Sequence, residues 1–441
     1  AGCPHATVTR YRCLHLQEQL AANGITAAVE EWYDPSQIDG RRELPAGALV
    51  LQRVAFTPAL GVLIERMHVA GRPVIFDVDD LVFEPQLAPW HRGVANLPAS
   101  EQALYVEGVQ RYLATLERCD HVLTASPLLA ELAERHGVAA HVHRNALGEE
   151  MMAWAGELYG VKYGVDGAQA SSLPFRAGGD EQAEGSRRGR LRSDGRPRSE
   201  DRLVLGYGSG TPTHDVDFAE TAPAVIDILT RYPHAELWVA GPMVLPDEFE
   251  AFGGRVRRFP LLPWREWFEL AAQIDINLAP LEMNNIFCRA KSEIKFVEAA
   301  ALGVPTVASQ IDPFAAAITH GENGFLAAGT PDWIQHLDTL AADAELRRRL
   351  GETARATVIE HYSPQARAAD LAQLLPEILK TRAGRRMEAE QPMQANDQTD
   401  QPGDVMSDLP EGTPPGGGGT SWRWGDLLEV GVLPGSGPGE R

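Results

Sequence analysis

Short apolar runs alternate with helix-forming segments twice over, on either side of a stretch without any apolar pattern, and this doubled alternation constrains the chain more than any other feature. In the first block, residues 10–22 are amphipathic and stop at Asn23-Gly24, 48–51 read as a strand, and 60–69 as a helix closed by Gly71. A strand at 74–76 runs into Asp77-Val78-Asp79-Asp80, and a helix at 99–117, a strand at 121–124, a helix at 127–136 and a strand at 141–143 ending near Asn145 follow. The second block repeats the order: a strand at 203–205, a helix at 218–232, strands at 236–240 and 255–259, a helix at 264–273 and a strand at 274–278. Residues 290–302 then predict a helix, Gly303 its C′ position, Pro305 the stop, and 306–308 a buried strand. Helices at 331–340, 345–362 and 365–381 close the block. Such alternation produces parallel sheets covered by helices on both faces.

The fold class expected is therefore α/β, with two doubly wound Rossmann-like domains and a cleft at the carboxyl ends of their strands, where ligands bind in open α/β sheets. The domains predicted are a first Rossmann-like domain at 1–155, a flexible Gly/Ser/Arg-rich linker or insertion at 156–201, a second Rossmann-like domain with closing helices at 202–384, and a disordered tail at 385–441. In the linker, Arg187, Arg188, Arg190, Arg192, Arg196 and Arg198 form a basic cluster with two readings: solvated chain, or contact with an anionic membrane surface. In the tail only the segment around Trp422 and Trp424 has the composition to dock.

At 441 residues and 44% hydrophobic content the chain has room for two or three domains. Its 40 basic and 61 acidic residues leave a net charge of −21, which argues against nucleic acid as the partner because phosphate binding needs a basic footprint. Cys3, Cys13, Cys119 and Cys288 lack paired metal-ligand spacing and are too few to staple such a chain. They read as reduced thiols, which points to the cytoplasm. No run approaches the roughly 20 apolar residues of a membrane span. The start, AGCPHATVTRYR, lacks an initiator Met and a signal core, so the numbering is expected to begin inside a gene product, with a strand ahead of Ala1 missing.

Three stretches carry chemistry. Gly206-Tyr207-Gly208-Ser209-Gly210 follows a strand, but Thr211, Pro212, Thr213 and His214 break the GxGxxG pattern, and no acidic residue about 20 positions on fits a ribose contact. A nicotinamide enzyme is disfavoured; a glycine turn whose backbone approaches a phosphate is retained. Residues 74–81, VIFDVDDL, resemble the first motif of haloacid-dehalogenase-type phosphatases, although Leu81 stands where a Thr would help grip phosphate. Lastly, Lys291, Lys295 and Glu298 fall at i, i+4 and i+7 on the predicted helix, opposite an apolar stripe of Ile294, Val297 and Ala301. Lysines oppose the dipole of a helix start, so either a bound phosphate or a solvated face must account for them.

KSEIKFVEAAALGVPTVAS (291–309), Gly321-Glu322-Asn323-Gly324-Phe325-Leu326, YGSGTPTHDVDF (207–218), Tyr11-Arg12 and FDVDDLVF (76–83) together resemble GT-B glycosyltransferases of the family 4-like, group 1 type, and a subgroup associated with surface polysaccharide and O-antigen assembly. The resemblance spans about 9–362 apart from the linker. It implies transfer of a sugar from a nucleotide diphosphate sugar to a glycan or lipid-linked acceptor, no cofactor and no metal, and a cytoplasmic protein at the inner face of the membrane. Glu298 matches the second glutamate of the family's E-x7-E pair, which implies a ribose contact, whereas Ala290 stands where the first should meet the sugar; Glu282, Asn284 and Glu293 are substitutes in reach. The resemblance also puts Gly208, Ser209, Gly210, Ser292 and Glu293 in the donor site; the Arg and Lys that in the family bind the donor diphosphate are absent from the first glycine loop, and Lys291 and Lys295 are the candidates to replace them as catalytic cations for the leaving group, with His214 after them. On the acceptor side stand Asp79 and Asp80 as bases, with Arg12, His91 and Asn145 as acceptor contacts. Two rival classes remain: a non-catalytic sugar-binding or scaffolding protein, motivated by Ala290, and a DxD phosphatase dependent on Mg²⁺.

Overall fold

The computed structural model describes residues 9–30, 47–95, 97–164, 202–210, 214–382 and 384. The arginine cluster at 187–198, the tail beyond 384 and Cys3 lie outside them. The described residues fall into two compact units: one from those within Ala1–Cys13, Ala28–His143 and Asp370–Arg441, the other from those within Leu14–Ala27 and Arg144–Ala369. Each is a parallel sheet with helices, as the alternation requires.

The expected boundary at 155/156 falls inside the helix Glu149–Tyr163, which ends at Gly164 with φ 72°. That helix belongs to the second unit because its end is bonded there: Lys162 Nζ donates to the Ile274 carbonyl at 3.2 Å and the Tyr163 hydroxyl to the Gly303 carbonyl at 2.9 Å.

In the first unit, β1 (Leu49–Gln52), β2 (Val74–Val78), β3 (His121–Thr124) and β4 (Ala139–Val142) lie side by side in chain order. All five residues of β2 are buried, and the strand runs through Asp77 to Val78 rather than ending at Phe76. Its carboxylate is tolerated because Arg12 grips it twice, Nε to Oδ1 at 2.9 Å and Nη2 to Oδ2 at 2.6 Å, while Nη1 donates to the His143 carbonyl at 2.5 Å. A carboxylate this deep needs such a partner. The helices Pro58–Val69 and Pro127–Glu134 begin at Thr57 and Ser126, whose side chains accept from Leu60 and Leu129 N–H ahead of a proline in the first turn.

In the second unit the order is β10-β9-β8-β5-β6-β7, from β5 (Leu203–Gly208), β6 (Ala235–Ala240), β7 (Val256–Phe259), β8 (Ile276–Ala279), β9 (Thr306–Ser309) and β10 (Phe325–Ala327). Successive strands run outward from β5 one way and from β8 the other, so the strand order reverses between these two parallel neighbours, the switch point at which α/β sheets open a crevice. Tyr207, Phe218, Phe249, Trp333 and the β-strand valines and leucines fill the core beneath.

Two predicted helices are broken. Residues 218–232 divide into Asp215–Ala219 and Ala222–Arg231, the latter started by a proline in its first turn. Residues 290–302 divide into Ile286–Arg289 and Ile294–Ala301, so Lys291 lies in the intervening turn and not on a shared stripe with Lys295 and Glu298. The reason is tertiary. Glu293, at the start of the second helix, is 1% exposed and turned away to Arg144 Nη1 at 2.9 Å and the Tyr362 hydroxyl at 2.7 Å.

Gly303 closes that helix at φ 66°, as expected, and the long helix Ala344–His361 crosses it at Gly351. A Cβ on Gly351 would stand 2.1 Å from the Gly303 carbonyl oxygen, a backbone atom with nowhere to go. Gly351→Ala should therefore destabilise the protein by about 1–3 kcal/mol, read as a lowered Tm. An unchanged Tm would show that the two helices part freely there.

Candidate functional site at the switch point

The carboxyl end of β5 and the turn before Ile294–Ala301 bring together most of the residues expected on the donor side. Lys295, in the first turn of that helix, donates from Nζ to the Gly208 carbonyl and lies 4.5 Å from the Tyr207 ring centroid. This carbonyl and ring face supply the negative potential that a helix start withholds from a cation. Burial, then repulsion from Lys291, pulls its pKa down to about 8, against the opposing pull of Asp217 and Glu298.

Lys291 reaches the same region from the turn, 3.4 Å from Asp217 Oδ2. Asp217 is the residue that sequence reasoning passed over, and it is the hub. It is 4% exposed; Oδ2 also accepts from His214 Nδ1 at 2.7 Å, and Oδ1 accepts from the Glu282 N–H at 3.1 Å and the Cys288 thiol at 3.3 Å. Burial alone would raise its pKa, but Lys291, His214 and the Glu282 N–H outweigh it and hold the carboxylate well below the usual range. The signals in the sequence were its place in the stretch 207–218 and His214 three residues ahead of it, just after the glycine turn.

Glu298 accepts from Trp267 Nε1 at 2.9 Å, another partner that no local pattern announces. The same indole explains Gly208, where a Cβ would meet the Trp267 ring at 2.8 Å. Ser209 is taken up by the sheet edge, with N–H to the Ala240 carbonyl at 2.7 Å and Oγ to the Pro242 carbonyl at 3.2 Å, whereas Gly210 is exposed with open space around it. Ser292 and Asn145, expected on opposite sides of the reaction, meet within the second unit: Asn145 Nδ2 donates to Ser292 Oγ at 3.0 Å. Of the substitutes for a sugar-contacting glutamate, Glu293 is spent on Arg144 and Tyr362, Glu282 accepts from Asn285 Nδ2 at 2.9 Å, and Asn284 is exposed. Ala290 is fully buried.

The remaining candidates lie in the first unit. Arg12 is committed to Asp77, so neither is presented to a substrate; for Asp77 this removes the nucleophile that the phosphatase reading requires. Asp79 pairs with Arg53 Nη2 at 2.6 Å, both side chains 9% exposed, while Asp80 is half open, 3.6 Å from the same nitrogen and accepting from the Leu81 N–H at 2.9 Å. Arg53 has φ 44°, the one non-glycine residue with positive φ among the described residues. His91 stacks on Tyr105 with centroids 5.6 Å apart. Among the described residues no group of three or more His, Cys, Asp or Glu is arranged to hold a metal ion, and no helix is long and apolar enough to cross a membrane.

Residues 212–343 match the family described as Glycosyl transferases group 1. The matched segment contains His214, Asp217, Lys291, Lys295 and Glu298, and it begins just after the glycine turn at the end of β5. Among solved structures, WaaG, described as a glycosyltransferase involved in lipopolysaccharide biosynthesis, superposes with a TM-score of 0.50 at 13% identity, covering 84% of this chain and 97% of that one. HepE from Anabaena, in complex with UDP-glucose, gives 0.43 at 14% identity, with 72% and 76% covered. Sucrose-phosphate synthase from Thermosynechococcus elongatus gives 0.45 at 16% identity, with 75% and 73% covered. No curated protein sequence matches the chain. The fold is GT-B, and the second unit carries the glycosyltransferase group 1 segment.

Proposed function

We propose that this protein transfers a glycosyl group from a nucleotide diphosphate sugar, held at the switch point of the second unit, to a glycan or lipid-linked acceptor in cell-envelope polysaccharide or O-antigen assembly. The observation that carries the reading is the pair of ammonium groups, Lys291 and Lys295, at the end of β5 inside the segment that matches the family. Negative charge grows on the leaving diphosphate as the glycosidic bond breaks, and preorganised cations there stabilise the transition state more than the ground state. The lysines supply this charge, so the reading requires no metal and no cofactor, and it takes the anomeric configuration as retained. The acceptor lies with the first unit in this reading, Asp80 being the carboxylate left open to a hydroxyl. Contact with the inner membrane face would follow from a lipid-linked acceptor.

A thermal-shift screen against UDP-, GDP- and dTDP-sugars tests the reading, because a ligand that binds only the folded state raises Tm with its concentration. Turnover of one of them establishes the enzyme. Binding without turnover favours the second reading, a sugar-binding protein, which Ala290 supports by offering no carboxylate to the sugar. No binding at all sinks both. Glu298→Gln should raise the donor KM about 10-fold with kcat little changed, since a ribose contact is made alike in ground and transition states. An unchanged KM would assign Glu298 to Trp267 alone.

A further inference from the structure

His214 is a nitrogen base among cations, and its geometry fixes what it can bind. The Asp217 carboxylate takes the hydrogen of Nδ1 at 2.7 Å, so the second nitrogen, Nε2, carries whatever capacity remains. The side chain keeps 12% of its surface open, at the same end of β5 that holds Lys291 and Lys295. Burial first, then the two lysines, push its pKa down to about 3 in spite of Asp217, so Nε2 holds a lone pair and no hydrogen.

A diphosphate oxygen also presents only lone pairs. Placed against Nε2 it would be repelled, and it has two ammonium groups beside it that suit it better. The group that meets Nε2 must bring its own hydrogen. On a nucleotide sugar such groups are the hydroxyls of the transferred sugar and of the ribose.

We propose that His214, oriented by Asp217, accepts a hydroxyl hydrogen of the nucleotide sugar at Nε2 while Lys291 and Lys295 hold the diphosphate. This rests on the function proposed above and replaces the role of phosphate-binding cation expected for His214 from the sequence. Asp217 thereby joins the two halves of the site: one carboxylate orients the hydroxyl acceptor and anchors the lysine for the phosphate.

Two substitutions separate the nitrogens. His214→Asn keeps a donor near the position of Nδ1 for Asp217 and removes the Nε2 lone pair, whereas His214→Gln can place an amide oxygen near the position of Nε2. Affinities are measured by calorimetry for UDP-glucose, GDP-mannose and dTDP-rhamnose, for the matching diphosphates without sugar, and for the 2′- and 3′-deoxy analogues of the nucleotide that binds. Loss of one hydroxyl contact in His214→Asn should weaken the nucleotide sugar about 10-fold, with part of the loss recovered in His214→Gln. The loss should be equal at about pH 6 and about pH 8, because the acceptor is neutral at both. If the diphosphate alone keeps its affinity, the hydroxyl is on the sugar; if it weakens equally and a deoxy analogue no longer senses the substitution, the hydroxyl is on the ribose. Affinities unchanged in His214→Asn, or a loss confined to the acid side, would overturn the inference and, in the second case, restore a charged histidine on phosphate. A wild-type protein that binds no member of the panel instead removes the functional reading itself.

Discussion

Replacing Lys295 with alanine should lower kcat/KM for the nucleotide sugar about 100-fold, the effect typical of losing one preorganised electrostatic donor. Its ammonium is held from both sides, by the Gly208 carbonyl and the Tyr207 ring, so little reorganisation is needed when a diphosphate arrives. Its pKa of about 8 adds a second signature. In the free protein the charge is lost as pH rises through that value, so kcat/KM should fall on the alkaline side with an apparent pKa near 8. Lys295→Arg, whose guanidinium stays charged, should lose this alkaline limb even if its absolute rate is lower. Stability runs the other way. The unfolded lysine titrates near 10.5, so between about 8 and 10.5 the unfolded chain binds more protons than the folded one, and this group's contribution to stability rises with pH across that window. A Lys295→Ala variant with wild-type kcat/KM and the same pH profile would show that the cation plays no part in transfer.

Asp77→Ala should destabilise the first unit by about 3–5 kcal/mol, because it leaves the Arg12 guanidinium buried without its counter-charge. Arg12 is 2% exposed and Asp77 fully buried, so neither group can recover its loss by turning to water. The pair is not expected to be strongly stabilising in itself. Replacing both with apolar residues of similar size, Arg12→Met with Asp77→Leu, should therefore cost far less than the sum of the single changes. Urea midpoints of the two single variants and the double variant measure this directly. If Asp77→Ala unfolds at the wild-type midpoint, water reaches Arg12 and the burial is not maintained in solution. The same experiment separates fold from chemistry, since loss of function in an Asp77 variant would reflect loss of the unit and not of a phosphatase nucleophile.

Much of the second unit was legible in the sequence because its signals are local. The alternation of apolar runs and helix formers dictated parallel strands, and Gly303 with Pro305 marked the turn from helix to β9, where the structure puts a left-handed glycine. Lys295, Glu298 and His214 were nameable because they stand beside such landmarks. The stripe that included Lys291 was not real. Helix periodicity assumes the helix continues, and Glu293 interrupts it to reach Arg144 and Tyr362, partners 149 and 69 positions away. In the first unit, Asp77 and Arg12 are 65 positions apart, and a strand ending in carboxylates looks the same on paper whether they face a substrate or a buried guanidinium.

The sequence by itself thus determined the order of strands and helices, the glycine and proline punctuation between them, and the segment that resembles the glycosyltransferase family, because propensity and periodicity act over a few residues. Only the tertiary structure decided which charges are spent on the fold and which remain for a ligand. It placed Asp217 between His214 and Lys291, lifted Lys291 off the helix, and committed Arg12, Asp77 and Glu293 to buried partners. A buried charge must find its counterpart wherever the folded chain brings one, and that pairing crosses sequence distances over which no local pattern carries information.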